Sequence, residues 1–212
     1  MNPRAPVPAE PPRFVRDLAE LPTHAFGHRS LTWWGIIGFM LIEGTAFALA
    51  VAAYFFLMSQ EQSWRPQPAI PPGLLPGILF TIVMLLSEIP NSMAKTAAEA
   101  EDIGRVRAIL PWICAVGGVL LLIRLFEFKA LNVGWADNPY GSILWALLVL
   151  HTTHILTDWI DTLVLTALMF TWHGSTGRRF VDVSENSLYW RFVWITWLPI
   201  YLLIYWVPRW FH

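Results

Sequence analysis

Five long apolar stretches decide most of what this chain can become. They run over 31–58, 74–93, 108–133, 142–172 and 188–207. An α-helix needs about 20 apolar residues to cross the hydrocarbon of a bilayer, and each stretch is near or above that length. Only 14% of the residues are charged, where soluble domains carry roughly 25%. The deficit fits a chain whose solvent is mostly lipid. The prediction is an all-α, polytopic membrane bundle of five transmembrane helices. It is formed by residues 31–212 behind a Pro-rich segment, 1–30, that holds Pro3, Pro6, Pro8, Pro11, Pro12 and Pro22. That segment is expected to be extended.

Local signals set expectations for the ends and bends. The loop after span 1 carries Pro66, Pro68, Pro71 and Pro72 and breaks any helix there. Pro90 predicts a kink in span 2, whose helix is expected to stop near Gly104. Gly117-Gly118 in span 3 permits close helix contact. Asp182 and Glu185 have the spacing of a cap for span 5. No cleavable signal peptide is visible, so span 1 is expected to serve as the insertion signal. Lysines and arginines count nine on the side of the N-terminus and three on the other, leaving out Arg124 and Arg191 inside spans. That asymmetry predicts a cytoplasmic N-terminus and a periplasmic C-terminus.

Charges inside the spans are costly, so they point to function or to internal pairing. Glu43 lies near the centre of span 1 and must be neutral or paired. Span 4 places His151, His154, Asp158 and Asp161 on one helix face. With Glu43, the residues His151, His154 and Asp158 form a candidate proton-linked or structural polar cluster. Arg124 and Glu127, three apart at the outer end of span 3, form an intramembrane pair satisfied locally near the interface. Glu88 has no evident partner. Arg191 is expected to reach lipid headgroups.

The same inventory excludes several classes. No basic stripe suits nucleic acid, and the lone Cys114 supports neither an intrachain disulfide nor a cysteine cluster. No nucleotide-binding loop or Ser/His/Asp arrangement is present, so no catalytic residue is assigned. His-x-x-His is a metal-ligand spacing, but di-metal bundles draw ligands from several helices. Only span 4 offers histidines within its body, and no metal site is expected.

Ordered motifs add a resemblance. Trp33-Trp34-Gly35, Glu43, Phe47 and Ala53-Tyr54-Phe55 come first. Arg124 through Glu127-Phe128 follows, then Tyr140-Gly141-Ser142 with His151-Thr152-Thr153-His154. Last come Glu185, Tyr189-Trp190-Arg191-Phe192-Val193, Trp197 and Tyr205. Together they resemble subunit III of haem–copper (cytochrome c) oxidases in its short, five-helix bacterial form, over most of 31–208. Glu185, Tyr189, Trp190 and Arg191 match the family's last motif. Four positions depart from the pattern. Arg191 stands where the family has His, Trp194 where it has Asp, Asp158 where a small residue is common, and Ser87-Glu88 where serines are paired.

The resemblance implies an accessory subunit of a respiratory terminal oxidase in the bacterial inner membrane. Such a subunit holds no cofactor of its own; haem and copper lie in partner subunits. It packs beside catalytic subunit I, with subunit II nearby, binds phospholipid, and sustains proton uptake while oxygen is reduced to water. Three other readings stay open at this point: a subunit of a nitric oxide reductase-type system, a stand-alone proton-coupled transporter, and a di-metal membrane oxidase.

Overall fold

The computed structural model describes residues 24–61, 63–64 and 70–211. Most of the Pro-rich segment, together with Arg65, Pro66, Pro68 and His212, lies outside these residues. Five helices are long and apolar enough to cross a membrane. They are α1 (Leu31–Gln60), α2 (Leu74–Glu99), α3 (Ile103–Lys129), α4 (Pro139–Met169) and α5 (Gly177–Tyr201). A π-helical turn, Leu202–Trp206, and a last helical turn, Val207–Trp210, continue α5. No strand occurs among the described residues.

The ends differ instructively from the sequence reading. Helix α2 stops before Gly104, through the left-handed backbone of Glu101 (φ 54°). The Asp102 N–H donates to the Ala97 carbonyl (3.0 Å) and the Glu101 N–H to Ala98 (2.9 Å). This is the paired-bond helix stop usually built on glycine. Asp102 then caps α3, accepting from the Arg105 N–H at 3.0 Å. Asp102→Ala is expected to lower stability by about 1 kcal/mol, read as a lower thermal midpoint of the purified protein. Asn138 caps α4 in the same way, accepting from the Gly141 N–H at 2.7 Å, with Pro139 opening the helix.

Asp182 and Glu185 do not cap α5. The helix begins well upstream, at Gly177, and both lie inside it. Its polar first turns are invisible to hydropathy but pack well. Phe180 and Val183 meet Ala94, Ala97 and Ala98 of α2, where small side chains let the helices approach.

Two glycines fix helix spacing. A Cβ on Gly77 would overlap the Tyr205 ring and come within 2.8 Å of its hydroxyl. One on Gly117 would overlap Trp159, whose indole donates to the Cys114 carbonyl at 2.8 Å. The main apolar core lies among all five helices. At its far end the Tyr54 hydroxyl donates to the Leu203 carbonyl (2.9 Å) and accepts from Trp64 (2.7 Å). Pro208 has no N–H to return to the carbonyls a turn behind it, and Leu203 offers one of them to Tyr54.

Candidate functional site

Helix α5 is the hub of the polar interior. Glu185 accepts from the Ser30 hydroxyl at the start of α1 (3.1 Å). Tyr189 donates to Glu43 Oε2 on α1 (2.7 Å). Trp190 donates to the Ser87 hydroxyl on α2 (2.9 Å), and Arg191 pairs with Glu88 beside it. The Val193 carbonyl accepts from His151 on α4 (3.0 Å). Little more than two turns of α5, Glu185 to Val193, therefore bond three other helices. Four of its groups are the family-motif residues Glu185, Tyr189, Trp190 and Arg191.

The polar stripe of α4 divides into three clusters instead of forming one. The first joins His154 to Glu43, 3.2 Å apart. His154 Nδ1 donates to the Leu150 carbonyl at 2.6 Å, so Nε2 faces the carboxyl. Nε2 and Glu43 Oε1 meet at ion-pair distance, and Tyr189 donates to the other carboxyl oxygen. Phe47 stacks against His154 (4.7 Å between centroids) and helps fix the ring.

The second cluster surrounds Arg124 and Glu127. The pair is 2.7 Å apart and almost without exposure, at 1% and 0%. The expected pair thus forms, and it is buried within the bundle with further partners on α4 and in the turn after α5. Arg124 also donates to His151 Nδ1 (2.8 Å). A guanidinium cannot accept, so His151 Nδ1 is the bare nitrogen and Nε2–H donates to Val193. Tyr205 donates to the second oxygen of Glu127 (2.8 Å). Phe80 and Trp197, in edge contact with each other, both place their rings against the guanidinium, 3.7 and 4.4 Å from its carbon. Only Arg124 Nε in this group lacks an acceptor, and the flanking ring faces offset part of that cost.

The third cluster is built on Asn186, which the sequence reading passed over. Its amide donates to Asp158 Oδ1 (3.3 Å) and Asp161 Oδ2 (3.2 Å), and its oxygen accepts from Thr162 (3.2 Å). The only hint in sequence is its place directly after Glu185. Asp158, a departure from the family pattern, is thus held by α5.

Two other departures answer each other. Glu88 and Arg191 form an ion pair, so Arg191 is turned toward α2 and not toward headgroups. Their separation of 103 residues hid it. Trp194, the fourth departure, has a buried indole N–H with no acceptor among the described residues; nothing in the structure explains the substitution.

Clusters one and three line a cleft of about 640 Å³ between α1, α4 and α5. Thr32, Leu168 and Arg179 stand at the bundle end where α1 and α5 begin and α4 finishes; Glu43 and His154 lie further in. Its carboxyl groups, Glu43, Asp158, Asp161, Asp182 and Glu185, outnumber its cationic groups, Arg179 and His154. Such a wall can hold and pass protons. It offers no nucleophile aligned with a base. Among the described residues, no three His, Cys, Asp or Glu side chains converge on a point that could hold a metal ion. Both His151 nitrogens are already engaged.

Comparison with known proteins gives the family. The family model described as "Cytochrome c oxidase subunit III" matches residues 15–209. The chain is 22% identical over 191 residues to "Cytochrome c oxidase subunit 3" of Thermostichus vulcanus, covering 88% of this chain and 92% of that protein. It is 26% identical over 187 residues to the protein of the same name from Synechocystis, with 84% and 77% covered. A third relative is "Cytochrome bo(3) ubiquinol oxidase subunit 3" of Pseudomonas aeruginosa, 24% identical over 186 residues, with 86% and 88% covered. The match takes in all five helices and the α5 motif, and the chain belongs to the cytochrome c oxidase subunit III family.

Proposed function

We propose that this chain is an accessory subunit of a respiratory haem–copper terminal oxidase, supporting oxygen reduction without a redox centre of its own. The family match along nearly the whole chain carries the reading. The geometry supports it: the intramembrane histidines and the buried Arg124–Glu127 pair are spent on holding helices together. Haem and copper then belong to partner chains, the catalytic subunit I and subunit II. Phospholipid covers the apolar outer faces and enters the α1–α4–α5 cleft. The names of its relatives include a cytochrome c oxidase and a ubiquinol oxidase; both fit a role that leaves the electron donor to other chains.

The charge asymmetry of the loops supports a cytoplasmic N-terminus and a periplasmic C-terminus in a bacterial inner membrane. The mouth of the cleft, beside Thr32 and Arg179, then opens toward the cytoplasm, the side from which protons are taken up. Within it Glu43 and His154 form a proton-holding pair.

Mild solubilisation tests the main reading. A large haem-bearing chain should co-purify with this one, with an oxidase spectrum; a complete oxidase purified without it overturns the reading. Glu43→Gln tests the cleft. Turnover or active lifetime of the complex should fall severalfold or less, while assembly persists. Tyr189→Phe should do less, since it removes one hydrogen bond of about 1 kcal/mol and leaves the Glu43–His154 contact. Unchanged turnover and lifetime in Glu43→Gln would leave the pair a purely structural role.

A further inference from the structure

Most polar groups inside the bundle are satisfied within the chain. The edge where α2 meets α5 at Glu88 is an exception. The Glu88 carboxylate is saturated: Oε1 accepts from Ser92 (2.9 Å) and from Arg191 Nε (2.8 Å), and Oε2 accepts from Asn91 (3.0 Å). Arg191 turns one terminal nitrogen inward as well, to Glu88 and to the Ser92 hydroxyl at 3.1 Å. Its other terminal nitrogen meets no acceptor among the described residues. The Arg191 side chain keeps 38% of its surface and Glu88 keeps 22%, so the pair stands at an uncovered edge of the bundle. Apolar side chains within about one turn of the pair on the same two helices are themselves uncovered, Leu85, Ile89 and Ile195.

The depth of this edge excludes two simple explanations. Glu88 lies about two turns below Lys95, roughly 10 Å at 1.5 Å per residue, and Arg191 lies deeper than Asp182 by a similar distance. Both lie well inside helices long and apolar enough to cross a membrane. Arg191 is tied to Glu88 and Ser92 and is not free to stretch toward headgroups. Leaving unpaired guanidinium N–H groups against lipid tails is costly. The outer face of α1 shows the contrast. Leu41, Ile42, Leu49 and Phe56 are uncovered there, and Thr45 between them satisfies its hydroxyl on the Leu41 carbonyl at 2.8 Å, which suits lipid.

We infer that the α2–α5 edge centred on Arg191 and Glu88 is the docking face for a transmembrane helix of the oxidase's catalytic subunit, one that brings an acceptor oxygen to the second terminal nitrogen of Arg191. The ion pair itself is neutral overall, so the complementary chemistry is an acceptor: a hydroxyl, an amide or backbone carbonyl, or a carboxylate. The apolar rim of Leu85, Ile89 and Ile195 packs around that bond and excludes lipid. This inference rests on the accessory-subunit reading, and its test separates the two.

The experiment places benzoylphenylalanine, a photo-crosslinking residue, singly at Ile195, Ile89 or Ile42 of the full chain and irradiates native membranes. Sites 195 and 89 should crosslink to the haem-bearing chain, and site 42 should give lipid adducts. Lipid adducts from 195 and 89 in a complex that still co-purifies with the haem-bearing chain would overturn the docking face and leave the accessory reading standing. Crosslinking to that chain from site 42 alone would do the same. If no haem-bearing chain co-purifies at all, both fail together.

Discussion

Glu127→Ala should leave little folded protein. The substitution strands a guanidinium that is 1% exposed and removes the acceptor of the buried Tyr205 hydroxyl. Breaking a buried pair from one side costs about 3–5 kcal/mol, because the remaining charge has no solvent. An orphaned hydroxyl adds about 1–3 kcal/mol. Against a total stability of about 5–15 kcal/mol, that is most of what holds the bundle together. Denaturation of the purified protein and the amount recovered from membranes both read the effect. The double variant Arg124→Met with Glu127→Leu should recover more than half of the loss. Apolar side chains of similar volume replace buried ion pairs at small net cost. A single variant that melts within about 1 kcal/mol of the parent would show that the pair is not the anchor its burial suggests.

The second large effect is expected at Gly77. Helix propensity alone favours Ala over Gly by about 0.8–1.0 kcal/mol. Packing opposes it and is larger: a Cβ there would overlap the Tyr205 ring, and overpacking costs about 1–3 kcal/mol. Tyr205 cannot yield without giving up its bond to Glu127, so the upper end applies. Gly77→Ala should therefore destabilise, and Gly77→Leu should prevent assembly. In Tyr205→Leu the same Gly77→Ala change should cost far less, as residues in contact couple. Equal costs in the two backgrounds would place the effect outside this contact.

Helix number was legible because a bilayer demands apolar runs of a set length, and five such runs stand in the sequence. The start of α5 was not legible. Its first turns, Gly177 to Asn186, are polar and owe their helicity to packing on the alanines of α2. Glu43 and the histidines of α4 were recognisable as polar groups in apolar spans. Which group meets which was not, since that depends on helix rotation and register. His151 went to Arg124, His154 to Glu43, and Asp158 to Asn186. Glu88 and Arg191 stood as two unrelated departures until α2 and α5 were laid side by side.

The attachment of α1 has a consequence for biogenesis. Its main neighbours are α4 and α5, which are synthesised well after it. At about 5–20 residues per second, α1 waits on the order of ten seconds in the bilayer before its packing surfaces exist. During that time it is a lone helix in lipid, and its sequence suits the wait. It is apolar around its whole circumference, with Glu43 as its single acidic side chain. Of these five helices, the ribosome thus releases α1 ahead of the partners it packs against. The helices whose charged faces need company come later, when company is already there.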